Sequence, residues 1–129
     1  MNKYLWVIAL IIALIVVGCK GSDTTSPTVV ITNPPNGSQD VDPGLTEISV
    51  TFNEAMMDKS WSWAYEQKDE FPVITGDPTF DSSYTINTLP VKLEPNKEYV
   101  IWINTSNSSN FVDKAGNPAV PYKLVFKTK

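Results

Sequence analysis

The sequence predicts an all-β, Greek-key sandwich of about seven strands, and three observations predict it. Beyond residue 27, apolar residues recur at every second position and seldom at helical spacing. All 10 prolines lie past residue 26, and nearly all fall between the apolar runs, where they punctuate turns. The runs themselves are short and closely spaced, as in antiparallel two-sheet domains. A chain of 129 residues has room for one such domain.

In chain order, Val29-Val30-Ile31 predicts a strand over 28–32. Ile48, Val50 and Phe52 alternate with Ser49 and Thr51 and predict one over 47–53, with one buried and one wet face. Weaker patterns predict strands at 61–66 and 71–75. Leu89, Val91 and Leu93 mark 85–93, where Pro90 demotes the strand toward an edge or a bulge. Tyr99 to Ile103 is a dense run within 98–105, which predicts cover on both sides. Tyr122, Leu124 and Phe126 close the set at 121–128. Residues 54–84 carry the least pattern and leave room for a short helical turn near 55–60. In Leu93-Glu94-Pro95-Asn96-Lys97-Glu98-Tyr99, a tyrosine opens a strand after a turn. Its hydroxyl is expected to fold back onto the upstream backbone as a tyrosine corner, a structural role.

Composition excludes several chemistries. The chain has no histidine, which removes Ser-His-Asp, Cys-His and His-ligated zinc sites. Its single cysteine makes neither an internal disulfide nor a Cys-rich metal site. A formal net charge of −4 argues against nucleic acid as a partner. No cofactor and no metal is expected.

The N-terminus reads Met1-Asn2-Lys3, then an apolar run from Tyr4 to Val17, then Gly18-Cys19. The run is shorter than the ~20 residues of a membrane-spanning helix and matches a secretory signal peptide. Val16-Val17-Gly18-Cys19 resembles the lipobox of bacterial lipoproteins. That resemblance implies cleavage after Gly18, a diacylglycerol on the Cys19 thiol and, as a rule, an acylated (palmitate-type) new amino terminus. The expected organisation is a signal peptide at 1–18, a polar tether at 19–27 and a sandwich domain at 28–129. At ~3.3–3.6 Å per residue the tether reaches less than ~30 Å, which keeps the domain near the bilayer.

Taken together, the motifs resemble the SbsA-type bacterial Ig-like domain. The matching residues are Pro27-Thr28-Val29, Pro34-Pro35-Asn36-Gly37 and Ile48-Ser49-Val50-Thr51-Phe52-Asn53-Glu54-Ala55-Met56. Leu93-Glu94-Pro95 with Tyr99, Asp113-Lys114-Ala115-Gly116-Asn117-Pro118 and the closing strand Lys123 to Thr128 complete them. Residues 61–82, with Trp61, Trp63 and Phe71-Pro72, depart from the pattern. The resemblance implies an Ig-like fold and a structural or adhesive module of a secreted bacterial protein, without catalysis.

Three constellations are candidates for chemistry. Asp113, Gly116 and Asn117, with Asp40 and Asp42 elsewhere, offer hard oxygens for calcium, but the same residues close turns. Glu54, Asp58, Glu66, Asp69 and Glu70 supply carboxylates of the kind glycosidases pair, yet short strands offer no evident cleft. Trp61, Trp63 and Tyr65 alternate with Ser62 and Ala64, which places them on one strand face. Facing outward they would make a platform for a sugar or a protein; facing inward they would be core. The expected function is a non-catalytic, lipid-anchored module of the envelope, at the outer membrane or cell surface, with a protein or glycan partner. The alternatives are a carbohydrate-binding module built on Trp61, Trp63 and Tyr65, and a subunit that docks by strand addition at an open sheet edge.

Overall fold

The computed structural model describes residues 23–129, so the expected signal peptide, Cys19 and the first tether residues lie outside it. Among the described residues eight strands form: β1 (Val29–Asn33), β2 (Glu47–Phe52), β3 (Trp63–Ala64), β4 (Val73–Ile74), β5 (Thr79–Phe80), β6 (Ile86–Lys92), β7 (Glu98–Ile103) and β8 (Tyr122–Lys127). They make two antiparallel sheets. One is ordered β1-β2-β6-β4, with β5 also pairing β6, and the other is β3-β7-β8. The β-sandwich read from the alternation is therefore the fold, and it is Ig-like, as the resemblance implies.

Period-two burial explains how the sheets face each other. In β2, Ile48, Val50 and Phe52 are buried while Glu47, Ser49 and Thr51 are not. Asn87, Leu89 and Val91 do the same in β6, and Tyr99, Ile101 and Ile103 in β7. Leu124 and Phe126 complete the core from β8. Val100 is buried on the opposite side of β7, where the segment around a 3₁₀ turn (Lys68–Glu70) covers the outer face. That turn is the helical element of the middle region; none forms at 55–60.

Pro90 lies inside the five-stranded sheet rather than on its edge strand. The proline is tolerated because its missing donor faces a gap. Its carbonyl accepts Thr75 N–H at 3.0 Å on the β4 side, so its ring nitrogen points the same way, where the chain leaves β4 through Gly76-Asp77-Pro78 and re-enters as β5. A Cβ on Gly76 would sit 3.3 Å from Pro90 Cγ, so the two residues fit each other.

The sheet edges are managed by different means. β8 is capped by the β1–β2 connection, with Gly37 N–H donating to Val125 O at 2.7 Å and Lys127 N–H to Ser38 O at 2.8 Å. β1 has no charged residue and exposes Val30 and Ile31, but it is five residues long and its register breaks between Val29 and Ile31. A short, bulged edge is a poor template for strand addition.

Tyr99 is 1% exposed, and its ring stacks on Phe126 at 5.3 Å. Its hydroxyl oxygen accepts the Glu94 backbone N–H at 2.8 Å, so the corner closes on a donor rather than an acceptor. Tyr99→Phe strands that N–H and is expected to cost about 1 kcal/mol, the low end for a group with partial access to water. A urea melt unchanged within error would contradict this role.

Candidate functional site

The aromatic segment divides rather than forming a platform. β3 is two residues long and pairs Trp63 with Ile103 and Ala64 with Trp102 of β7, so alternation ends before Tyr65. Trp63 turns inward. Its Nε1–H donates to Asn87 Oδ1 at 2.8 Å, and its ring meets Phe111 edge-on at 5.7 Å. Trp61 also packs against the core and lines a depression with Asp58, Asp77 and Phe80. Tyr65 is 49% exposed and leans on Phe71 at 5.5 Å. No single face presents all three rings, because the strand stops short.

Residues that carried no sequence signal organise this end of the sandwich. Phe111 follows the polar run Ser106 to Asn110, yet it is fully buried and contacts Phe52, Trp63 and Phe80. Asn104, at φ 61, turns the chain out of β7 and is fully buried. Its Nδ2 donates to Phe111 O at 2.9 Å and Ala119 O at 3.0 Å, and its Oδ1 accepts Phe111 N–H at 3.0 Å. Ser62 Oγ accepts the Asn110 N–H at 2.8 Å, which ties the same loop to β3. The β7–β8 connection is thereby fixed from both sides.

Fixing that loop creates a groove of about 410 Å³ on the outer side of the three-stranded sheet. Its walls are Tyr65, Trp102, Pro121, the Glu66 carboxylate and the loop 105–107. Trp102 points outward because its neighbours Ile101 and Ile103 are buried. Its Nε1–H donates to Glu66 Oε1 at 2.8 Å, which holds both side chains.

Asp113 sits in the turn that offers hard oxygens for calcium, and its oxygens are already used. Oδ1 accepts Ala115 N–H at 2.9 Å and Asn117 N–H at 2.8 Å, while Oδ2 accepts Asn117 Nδ2–H at 2.9 Å. Gly116 supplies the positive φ of 89 that the turn needs. Asp40 and Asp42 are elsewhere, beside Pro34 and Leu45, and Asp42 caps its own turn at Gly44. The carboxylates that do meet Asp113 are Glu54 and Asp23, with one oxygen of each within 4.8 Å of the others. A cation there would compete with the three donors that Asp113 already holds. The remaining acids are dispersed, with Asp58 beside Trp61, Glu66 in the groove, and Asp69 and Glu70 in the 3₁₀ turn.

The cluster has a pH signature. Burial opposes ionisation of Asp113, but hydrogen bonds from Asn117 and from Glu54 outweigh it and hold its pKa down to about 2. Glu54 is pushed above 4.5 by hydrogen bonding to Asp113, then by burial, then by repulsion from Asp113 and Asp23. Its Oε1 is buried without a donor. The contribution of Asp113 is present above 3.8 and is lost as pH falls through about 2. That of Glu54 has the opposite sign: present below 4.5, it is lost as pH rises through the raised value. Glu54→Gln is therefore expected to melt higher than the parent at neutral pH, with the gap closing on acidification toward 4.5. Parallel melting curves across that range would contradict the pairing.

This geometry defines a class: a two-sheet β-sandwich module with a hydrogen-bonded loop end, a shallow groove and one carboxylate cluster engaged in its own turn. A family profile described as "Bacterial Ig-like domain" matches residues 23–128, and the chain belongs to that family. Two solved structures share the fold. The crystal structure of the S-layer protein rSbsC(31-844) matches with a TM-score of 0.50 at 17% identity, covering 81% of this chain and 14% of that one. Domains 1-6 of the surface layer protein SbsC match with a TM-score of 0.51 at 17% identity, covering 82% and 14%. The chain thus spans about 14% of the length of either. No curated protein is similar enough to count as a match.

Proposed function

We propose that this chain is a lipid-anchored Ig-like lipoprotein of the bacterial cell envelope, held by Cys19 at the outer membrane or cell surface. It serves there as a non-catalytic structural, adhesive or protein-binding module. The observation that carries the reading is Val16-Val17-Gly18-Cys19, placed directly after a short apolar run and just ahead of the Ig-like domain. The domain holds the chain early, since the Asp23 carbonyl accepts Asn117 Nδ2–H at 3.1 Å and Pro27 is buried. From Cys19 to Asp23 the chain reaches about 14 Å at most, so the domain would rest close to the bilayer. Two or three acyl chains give stable attachment where one is marginal. The likeness to S-layer domains supports a surface role, and the engagement of the Asp113 oxygens in their own turn supports a non-catalytic one. Fractionation of cells expressing Cys19→Ala tests the anchor. The parent is expected in the membrane fraction, and the variant is expected to lose acylation and processing at residue 19. A parent found free in the soluble fraction, or a variant processed like the parent, would overturn it.

A further inference from the structure

We propose that the groove beside Trp102 is a subsite for a neutral sugar, a site separate from the anchor and independent of it. In it a pyranose ring stacks on Trp102 and Tyr65, and its hydroxyls bond to Glu66, Ser106 and Asn107. Four observations point to this chemistry. First, a pyranose has an apolar C–H face bordered by hydroxyls, and the groove sets two aromatic rings against a carboxylate, an amide and a hydroxyl. Second, its volume of about 410 Å³ falls in the lower part of the ~300–1,000 Å³ range of ligand sites. A protein partner needs a far larger patch, about 800 Å² on each side.

Third, the groove is formed in advance. Glu66 Oε1 holds the indole N–H, and Ser62 and Asn104 hold the loop that carries Ser106 and Asn107. Binding would therefore order little that is not ordered already. Fourth, the charge selects a neutral ligand. Glu66 places a carboxylate in the groove, whereas Lys123 lies against the indole, 5.9 Å from the ring centroid, and is not among the residues that line the cavity. An acidic sugar or a phosphate would meet the Glu66 carboxylate inside the groove, with Lys123 only at the indole and not in the lining.

The test is saturation-transfer NMR on the full chain in a detergent without sugar head groups. The probes are maltotriose, cellotriose and triacetylchitotriose, with trigalacturonate as the charged comparator. At least one neutral probe is expected to bind with a Kd of ~0.1–10 mM, a range suited to a small open site. Tyr65→Ser and Trp102→Ala should each weaken it about tenfold, roughly the loss of one stacked ring. Tyr65 is half exposed, so its variant keeps the fold even if the other does not. Trp61→Phe, outside the groove, should leave binding unchanged. Silence from all three neutral probes at ~10 mM, binding indifferent to both ring variants, or equal binding of trigalacturonate would overturn the proposal.

Discussion

Phe111→Ala is expected to lower stability by about 3–5 kcal/mol, the range for removing a fully buried aromatic ring. The cost is high because the ring is shared. Phe52 of β2, Trp63 of β3 and Phe80 of β5 all pack on it at centroid distances of 5.1, 5.7 and 6.4 Å. Those three strands belong to two different sheets, so the cavity would open at the contact that joins them. Against the ~5–15 kcal/mol that holds a domain of this size, such a loss is a large share. Urea denaturation checks it: the midpoint should fall with the slope unchanged. A midpoint shifted by less than a surface variant's would mean the ring is not the hub.

Asn104→Ala is expected to cost as much as the ring, through polar groups instead of apolar area. The amide satisfies the Phe111 N–H, the Phe111 carbonyl and the Ala119 carbonyl, all from a fully buried position. Each stranded buried group costs about 1–3 kcal/mol, and alanine strands two, the Phe111 N–H and the Ala119 carbonyl, since the Phe111 carbonyl keeps the Ala119 N–H at 2.8 Å. The positive φ of 61 adds a penalty that asparagine tolerates better than alanine. Asn104→Gly should recover the backbone part alone, so its melting point is expected between the parent and the alanine variant. Equal melting of Asn104→Ala and the parent would show that water satisfies the two stranded groups instead.

The long strands were legible because each has one buried face, and that face writes a two-residue period. Ile48, Val50 and Phe52 in β2 and Leu124 and Phe126 in β8 are cases in point. β3, β4 and β5 are two residues each, too short to carry a period, so the sequence marked the first two too long and gave no sign of the third. Pro90 signals an edge in the sequence because the gap that accommodates it is made by residues 76–78, which lie between the β4 and β5 pairings with β6. The site was less legible than the fold. Alternation put Trp61, Trp63 and Tyr65 on one face, but it held for β3 alone. Trp102, the ring that does accompany Tyr65, lies far along the chain in a run that reads as core. Phe111 and Asn104 were hidden by polar neighbours. Their burial depends on the return of the β7–β8 loop over the sandwich end, which composition does not record.

Mass spectrometry of the native N-terminus tests the anchored-module reading most directly. The expected first residue is Cys19, its mass raised by a thioether-linked diacylglycerol and an amide-linked acyl chain. The next peptide should run through Lys20 and Gly21 into the Asp23 end of the folded domain. A mature protein that begins at Met1, or one that begins at Cys19 with an unmodified thiol, would contradict it.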